Sequence, residues 1–370
     1  AVGANNRRNP QSVLTALLEG TLLARGLQAD MTYLDADSKV GARFGARAEM
    51  LDSGLQVHLQ PYRPILGYKA FNLNEDNYIF MGADRKIQVN LRLIADDGTG
   101  VMAYSEDQDP QMLQDITVSL NKFDLEKITS VIPYAPRMSG LLNGDFHLLL
   151  DRQDRLSMLS DLNVQKMTYE QCPMGDLSSE FVYLQREDST HFVEARILQN
   201  DNQIGILKGS YRAEGEGWLD AVFSMEQLPL ELVNGFVPDQ LIGLEGTAEG
   251  QVDVKGPLSR PQINGEVFLQ SSYLVSVPYG VRLRFDDDPV RVVNSKLLLE
   301  NFTMYAYNDN PLTIYGEIDF SNLERMTIDM KMRAQNFQII KAKKSRKSLT
   351  YGKAFVNFGG TMSGPVDRMK

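Results

Sequence analysis

Apolar side chains recur at every second position along most of this chain, and that period restricts it to β-strands with one apolar and one polar face. Ile87, Val89, Leu91 and Leu93 alternate with Gln88, Asn90 and Arg92. Leu312, Ile314, Ile318 and Phe320 share a face, while Thr313, Tyr315, Glu317 and Asp319 take the other. Met326, Ile328, Met330 and Met332 alternate with Thr327, Asp329, Lys331 and Arg333, and Val252 and Val254 repeat the pattern. Asn/Asp/Gly clusters separate these runs at short spacing, as in LNEDN, QNDNQ, FDDDP and YNDNP. Such clusters are hairpin punctuation, so the expected fold is all-β and mostly antiparallel.

Helical signals are brief and repeat. In FDLEKITSVIP, Asp124 is placed to cap a helix whose apolar face is Leu125, Ile128, Val131 and Ile132, and Pro133 ends it. In LPLELVNGFVP, 105 residues later, Pro229 suits a first turn, Leu230, Val233, Phe236 and Val237 take the matching places, and Pro238 ends the helix. Gly140 and Gly144 before DFHLLL correspond to Gly246 and Gly250 before QVDVKG, and a third copy begins at Gly352. In that copy Gly364, Pro365 and Arg368 match Gly256, Pro257 and Arg260. The chain is therefore read as one continuous elongated domain: an N-terminal part over 1–122, repeat units over 123–227 and 228–336, and the start of a third over 337–370. Some 25 to 30 strands at about 4.8 Å spacing would extend on the order of 120 to 140 Å.

Composition narrows the function. The 370 residues are 43% hydrophobic and 23% charged, which is globular, and a net charge of −10 argues against nucleic acid as a partner. Cys172 is the only cysteine, so no intramolecular disulfide forms, and the redox compartment stays open. The best apolar run, SVLTALLEGTLLARGL, is interrupted by Glu19, Gly20 and Arg25 and falls short of the about 20 residues of a membrane helix. The sequence begins at Ala1 without a leader pattern and is read as a segment of a longer chain.

No GxSxG, HExxH or GxxxxGK[ST] motif occurs, and His58, His147 and His191 lie in strand-like runs away from partner motifs. Asp35 with Asp37, and Asp286 to Asp288, are read as turn chemistry, with calcium ligands or a glycosidase pair as the sharper alternative. No metal, cofactor or catalytic residue is expected. Trp218 with scattered Tyr gives little support to a carbohydrate-binding solenoid. The basic run KAKKSRK, Lys341 to Lys347, is read first as a solvated loop and second as a contact for anionic headgroups.

The stretch GTAEGQVDVKGPLSRPQINGEVFLQ, 246–270, with Tyr273, Pro278 and Gly280 after it, resembles the TamB branch of the AsmA-like envelope proteins of Gram-negative bacteria. The likeness is best over 123–370, and LNEDNYIF is similar in style to Bacteroidetes members. The resemblance implies a twisted β-taco, an open trough with an apolar interior, built from repeated hairpins with short connecting helices. It implies a periplasmic, non-enzymatic protein held in the inner membrane by an N-terminal helix that this sequence does not include. Phospholipid acyl chains would be its cargo, in transport between the inner and outer membranes. The alternative is a scaffold for outer-membrane barrel assembly with an Omp85-type, TamA-like partner. Candidate lipid contacts are Val252, Val254, Val267, Leu269, Leu312, Ile314, Ile318, Phe320, Met326, Ile328, Met330 and Met332. By the residues alone these positions favour an ordinary protein core; the resemblance favours lipid.

Overall fold

The computed structural model describes the chain except residues 1, 7–8, 107–108, 131, 133–134, 171, 237–242, 277–278, 323–324, 343–350 and 366–370. Val131, Pro133, Val237, Pro238, Pro278, Arg368 and most of KAKKSRK lie outside the described residues. Among the described residues the fold is all-β, with 25 strands and two short helical segments, and every described strand pairing is antiparallel. The chain divides into two compact units, Ala1–Glu187 with Gln199–Asp201, and Asp188–Leu198 with Asn202–Lys370.

The first unit contains β1 (Val2–Asn6), β2 (Asn9–Leu23), β3 (Gly26–Leu34), β4 (Val40–Leu51), β5 (Gly54–Leu66), β6 (Lys69–Ala70) and β7 (Asn72–Leu73). It continues through β8 (Tyr78–Gly82), β9 (Ile87–Ile94), β10 (Gly100–Ser105), β11 (Met112–Asp124), α1 (Leu125–Thr129), β12 (Met138–Asp151), β13 (Leu156–Tyr169) and β14 (Cys172–Gln185). Sequential strands pair as a meander, except that β5 pairs with β8 and the short β6 and β7 pair with β5 and β9. The apolar run near the N-terminus forms β2, the turn at Ala24–Arg25 and the start of β3. Among the described residues no helix is long and apolar enough to cross a membrane.

The second unit contains β15 (Thr190–Gln199), β16 (Asn202–Arg212), β17 (Trp218–Pro229), β18 (Gly243–Pro257), β19 (Gln262–Ser276), β20 (Val281–Phe285) and β21 (Val290–Val293). It ends with β22 (Lys296–Tyr305), β23 (Pro311–Asp319), β24 (Thr327–Ala342) and β25 (Gly352–Pro365). β20 and β21 together occupy the place of one strand, each pairing with part of β19 and part of β22 around the FDDDP turn.

The Asn/Asp clusters fall in turns or links between strands, as their spacing indicates. Asp35 Oδ1 accepts from the N–H groups of Asp37 at 3.0 Å and Lys39 at 2.8 Å, and Asp286 Oδ1 accepts from Asp287 N–H at 3.0 Å. Asn77 of LNEDN is 1% exposed: its Oδ1 accepts from Leu59 N–H at 2.7 Å and its Nδ2 donates to Asn74 O at 2.9 Å. Asn77→Leu would leave those backbone groups without their partner, so a loss of about 2 kcal/mol or more is expected in a urea titration.

Asp124 caps α1 by accepting from Lys127 N–H, as expected. Leu125 is buried, and Ile128 packs against the core cluster of Phe71, Ala95 and Phe123, whereas Ile132 is 48% exposed. The matching segment Leu230–Phe236 is a 3₁₀ helix. Leu230 is buried as in the first copy, but Asn234 bridges to β18, accepting from Leu244 N–H at 2.7 Å and donating to Leu244 O at 2.9 Å. That bridge accompanies the tighter winding of this segment.

Gly140, Gly144, Gly246 and Gly250 lie inside β12 and β18, not ahead of them. Gly140 and Gly246 mark shifts in pairing, between Ser139 and Leu141 and between Glu245 and Thr247. At Gly246, φ is +107°, and an added Cβ would lie 2.6 Å from Ser272 Cα and 2.7 Å from Ser271 O. The facing strand bulges there, so only a residue without a Cβ fits.

One-residue bulges recur through both units. Pairing steps from Leu120 to Phe123 in β11, Val164 to Met167 in β13, Met225 to Leu228 in β17, Leu299 to Phe302 in β22 and Ala334 to Phe337 in β24. Each skipped pair ends in a residue with positive φ: Lys122, Lys166, Gln227, Asn301 and Asn336. The extra residue returns the next apolar side chain to the same face, although the sequence spacing is three instead of two. In three of these bulges an amide or carboxylate on the next strand accepts the bulge N–H: Asn143 for Lys122, Asp176 for Lys166 and Asn357 for Asn336.

Candidate functional site

Residues directly opposite each other on paired strands share a face, so the pairings trace side chains across a sheet. In the second unit one row reads Leu207, Phe223, Val252, Gly265, Val292, Leu297, Ile318, Ile328 and Gly364, from β16 to β25. Every member is apolar or glycine, and every one is half-buried. Eight steps of about 4.8 Å make this row about 38 Å long, more than twice the about 15 Å spanned by one leaflet of a bilayer's hydrocarbon core.

One residue along each strand the chemistry reverses. The adjacent row reads Ile206, Ser224, Gln251, Glu266, Arg291, Leu298, Glu317, Asp329 and Ser363. Ion pairs knit this opposite face: Lys255 with Asp220 at 2.8 Å, Arg291 with Glu266 at 3.1 Å and Lys296 with Glu317 at 2.7 Å. Hydrogen bonds to Asp220 and Glu317 hold the Lys255 and Lys296 ammonium groups above the usual lysine range.

The first unit has the same division. Leu22, Leu27, Ala48, Val57, Ile79 and Val89 form one apolar row. Leu93, Val101, Leu120, Gly144 and Leu162 form another.

Most of the residues singled out in the sequence meet on the second unit's apolar face. Val252, Ile318 and Ile328 belong to the row itself, and Val254 and Val267 flank it through Ile263 and Gly250. Leu312 and Ile314 lie on the same face but are buried, at 8% and 9% exposure, with Leu283, Phe285, Leu299, Met304, Ala334 and Phe337. Leu269, Met330 and Met332 are half-buried and pack against that cluster. Phe320 and Met326 are half-buried just beyond the paired ends of β23 and β24. The face thus comprises a dry cluster and a half-covered row.

Leu207, Phe223, Gly265, Val292 and Leu297 also belong to the row, with Gly364 at its end, and alternation alone does not single them out. A signal existed for Val292: Val290, Arg291 and Val292 alternate, but the run is too short to stand out. Phe337 was hidden by the bulge at Gln335 and Asn336, which breaks the period of two.

The titratable groups lie elsewhere. His147 Nε2 is 2.8 Å from Asp115 Oδ1 on the polar face, and His58 Nδ1 lies 2.5 Å from Asn77 O. Trp218, opposite Arg212 and Pro257, is 42% exposed. The apolar row offers no proton donor, nucleophile or ligand atom from its side chains. Its chemistry is to take apolar surface out of water, at about 25 cal/mol per Å².

These features define a class: an antiparallel β protein built from bulged hairpins, with an apolar row on one face of each unit and a charged opposite face. No family model, curated protein or solved structure matches the chain.

Proposed function

We propose that the apolar row of the second unit is a contact path for phospholipid acyl chains, in a non-enzymatic protein of the Gram-negative periplasm. The observation that carries this reading is the unbroken row from Leu207 to Gly364, half-covered throughout. An acyl chain on such a row keeps a nearly constant environment at each step, and each methylene removed from water contributes about 0.8 kcal/mol. No covalent step is involved. The reading agrees with the resemblance of 246–270 to the TamB branch, whose members would move phospholipid between membranes and be held by an inner-membrane helix.

Alternating faces give a sharp test. A photoreactive amino acid at Val252 is expected to label co-purifying phospholipid, while the same group at Gln251, on the opposite face, is not. Ile328→Asp is expected to reduce lipid recovered by native mass spectrometry several-fold while the far-UV spectrum is kept. Equal labelling at both positions, or none at either, would remove the acyl-path reading.

A second reading is assembly of outer-membrane barrels with an Omp85-type partner. It is the alternative that the same resemblance carries, and it would work by β-augmentation between strand edges. Crosslinking from β25 to a barrel protein, without lipid labelling at Val252, would favour it.

A further inference from the structure

The last hairpin carries a charge pattern unlike the rest of the chain. From Met330 to Val366 there is no acidic residue and there are eight basic ones, so the remainder of the chain carries −18 against −10 for the whole. Four of the eight are described: Lys331, Arg333 and Lys341 in β24, and Lys353 in β25. All four are exposed.

Pairing puts them on one face. Lys331 lies opposite Thr361, Arg333 opposite Gly359 and Lys341 opposite Lys353, while the regular alternation of β25 brings Phe355 to the same side. Tyr315 lies opposite Lys331 on β23. Tyr315 and Phe355 are 59% and 52% exposed. This is the polar face, opposite the acyl path.

Elsewhere on the polar face of the second unit five cations are matched by carboxylates: Lys208 with Glu194, Lys255 with Asp220, Arg282 with Glu245, Arg291 with Glu266 and Lys296 with Glu317, while Arg284 lies over the Tyr305 ring. Among the described residues no carboxylate lies within ion-pair distance of Lys331, Arg333, Lys341 or Lys353. Lys341 and Lys353 even face each other directly, a like-charge arrangement that opposes pairing unless an anion from outside lies over it.

We propose that this face of the β24–β25 hairpin docks onto the anionic phosphate surface of a phospholipid bilayer. Cations spread over two strands of a sheet face match a planar array of phosphates, and exposed Tyr and Phe rings suit the interfacial layer beneath it. A nucleic acid, by contrast, would bring its phosphates against the negative remainder of the chain. The proposal concerns a different face from the acyl path and does not rest on it.

The test is flotation of the whole chain with vesicles of phosphatidylcholine, with and without phosphatidylglycerol. Binding is expected only with phosphatidylglycerol and is expected to weaken steadily as salt is raised. Replacing Lys331, Arg333, Lys341 and Lys353 by Glu is expected to reduce binding at least about tenfold, while Lys208→Gln with Lys255→Gln leaves it unchanged.

Equal binding to phosphatidylcholine alone, insensitivity to salt, or full binding by the four-site variant would overturn the proposal. So would displacement from vesicles by an oligodeoxynucleotide at matched phosphate concentration. Should the four-site variant lose its β spectrum, the lipid and salt series on the unaltered chain decides the matter.

Discussion

Gly246→Val is expected to destabilise the second unit by about 3 kcal/mol or more, seen as a large fall in the urea midpoint. Two costs combine. The φ of +107° is one that a β-branched residue rarely adopts, and the new Cβ would meet Ser272 Cα and Ser271 O well inside contact distance. Neither neighbour is the movable end of a side chain. Ser272 is 1% exposed and its hydroxyl donates to Gln270 O at 2.9 Å, so the bulge is held in place. Gly360→Ala is the matched control: nothing lies within 4 Å of a Cβ built there, and a change of about 0.5 kcal/mol at most is expected. Equal losses at the two positions would refute the bulge account.

Phe337→Ala is expected to cost about 3 to 5 kcal/mol in the same titration. Its ring is 1% exposed within the cluster that holds Phe285, Leu312 and Ile314, so truncation removes apolar contact and leaves a cavity. Phe355→Ala, on the adjoining strand and 52% exposed, should change stability by less than about 1 kcal/mol. A small loss at Phe337 would mean that the cluster closes readily over the gap.

The strand content of this chain was legible because side-chain period is a direct image of backbone period. Ile87 to Leu93 and Ile328 to Met332 keep their alternation in the folded strands, and the Asn/Asp clusters fall between strands. Hidden were the positions where the period slips. Lys122, Gln227 and Asn336 are ordinary polar residues in ordinary polar company, and nothing in their local spelling distinguishes a left-handed bulge residue from an outward-facing one. The side chains that accept the N–H groups of Lys122 and Asn336 stand on the next strand, 21 residues away in both cases.

The candidate site was legible in part for the same reason. Val252, Ile318 and Ile328 were identified from alternation within their own strands, but their membership of one row follows from pairing, a long-range property. Burial separated them further: Leu312 and Ile314 are spelled like Ile318, yet they lie in a dry cluster because Phe285, Met304 and Phe337 gather over that end of the face. Leu125 and Leu230, which correspond by spacing in the sequence, are both buried, while Gly140 and Gly246 mark register shifts inside strands and not their starts.

The one-residue offset between apolar and polar rows also limits how such a chain can change length over evolutionary time. A single-codon deletion between Thr327 and Ala334 would exchange the two chemistries along the rest of β24, whereas loss of two codons would preserve them. Losing Asn336 alone would straighten the strand and still leave Phe337 on the face of Ala334, two positions further on instead of three. Inheritable variation in size is therefore expected to accumulate as whole hairpins or as residue pairs, with odd insertions surviving only where a left-handed residue absorbs them.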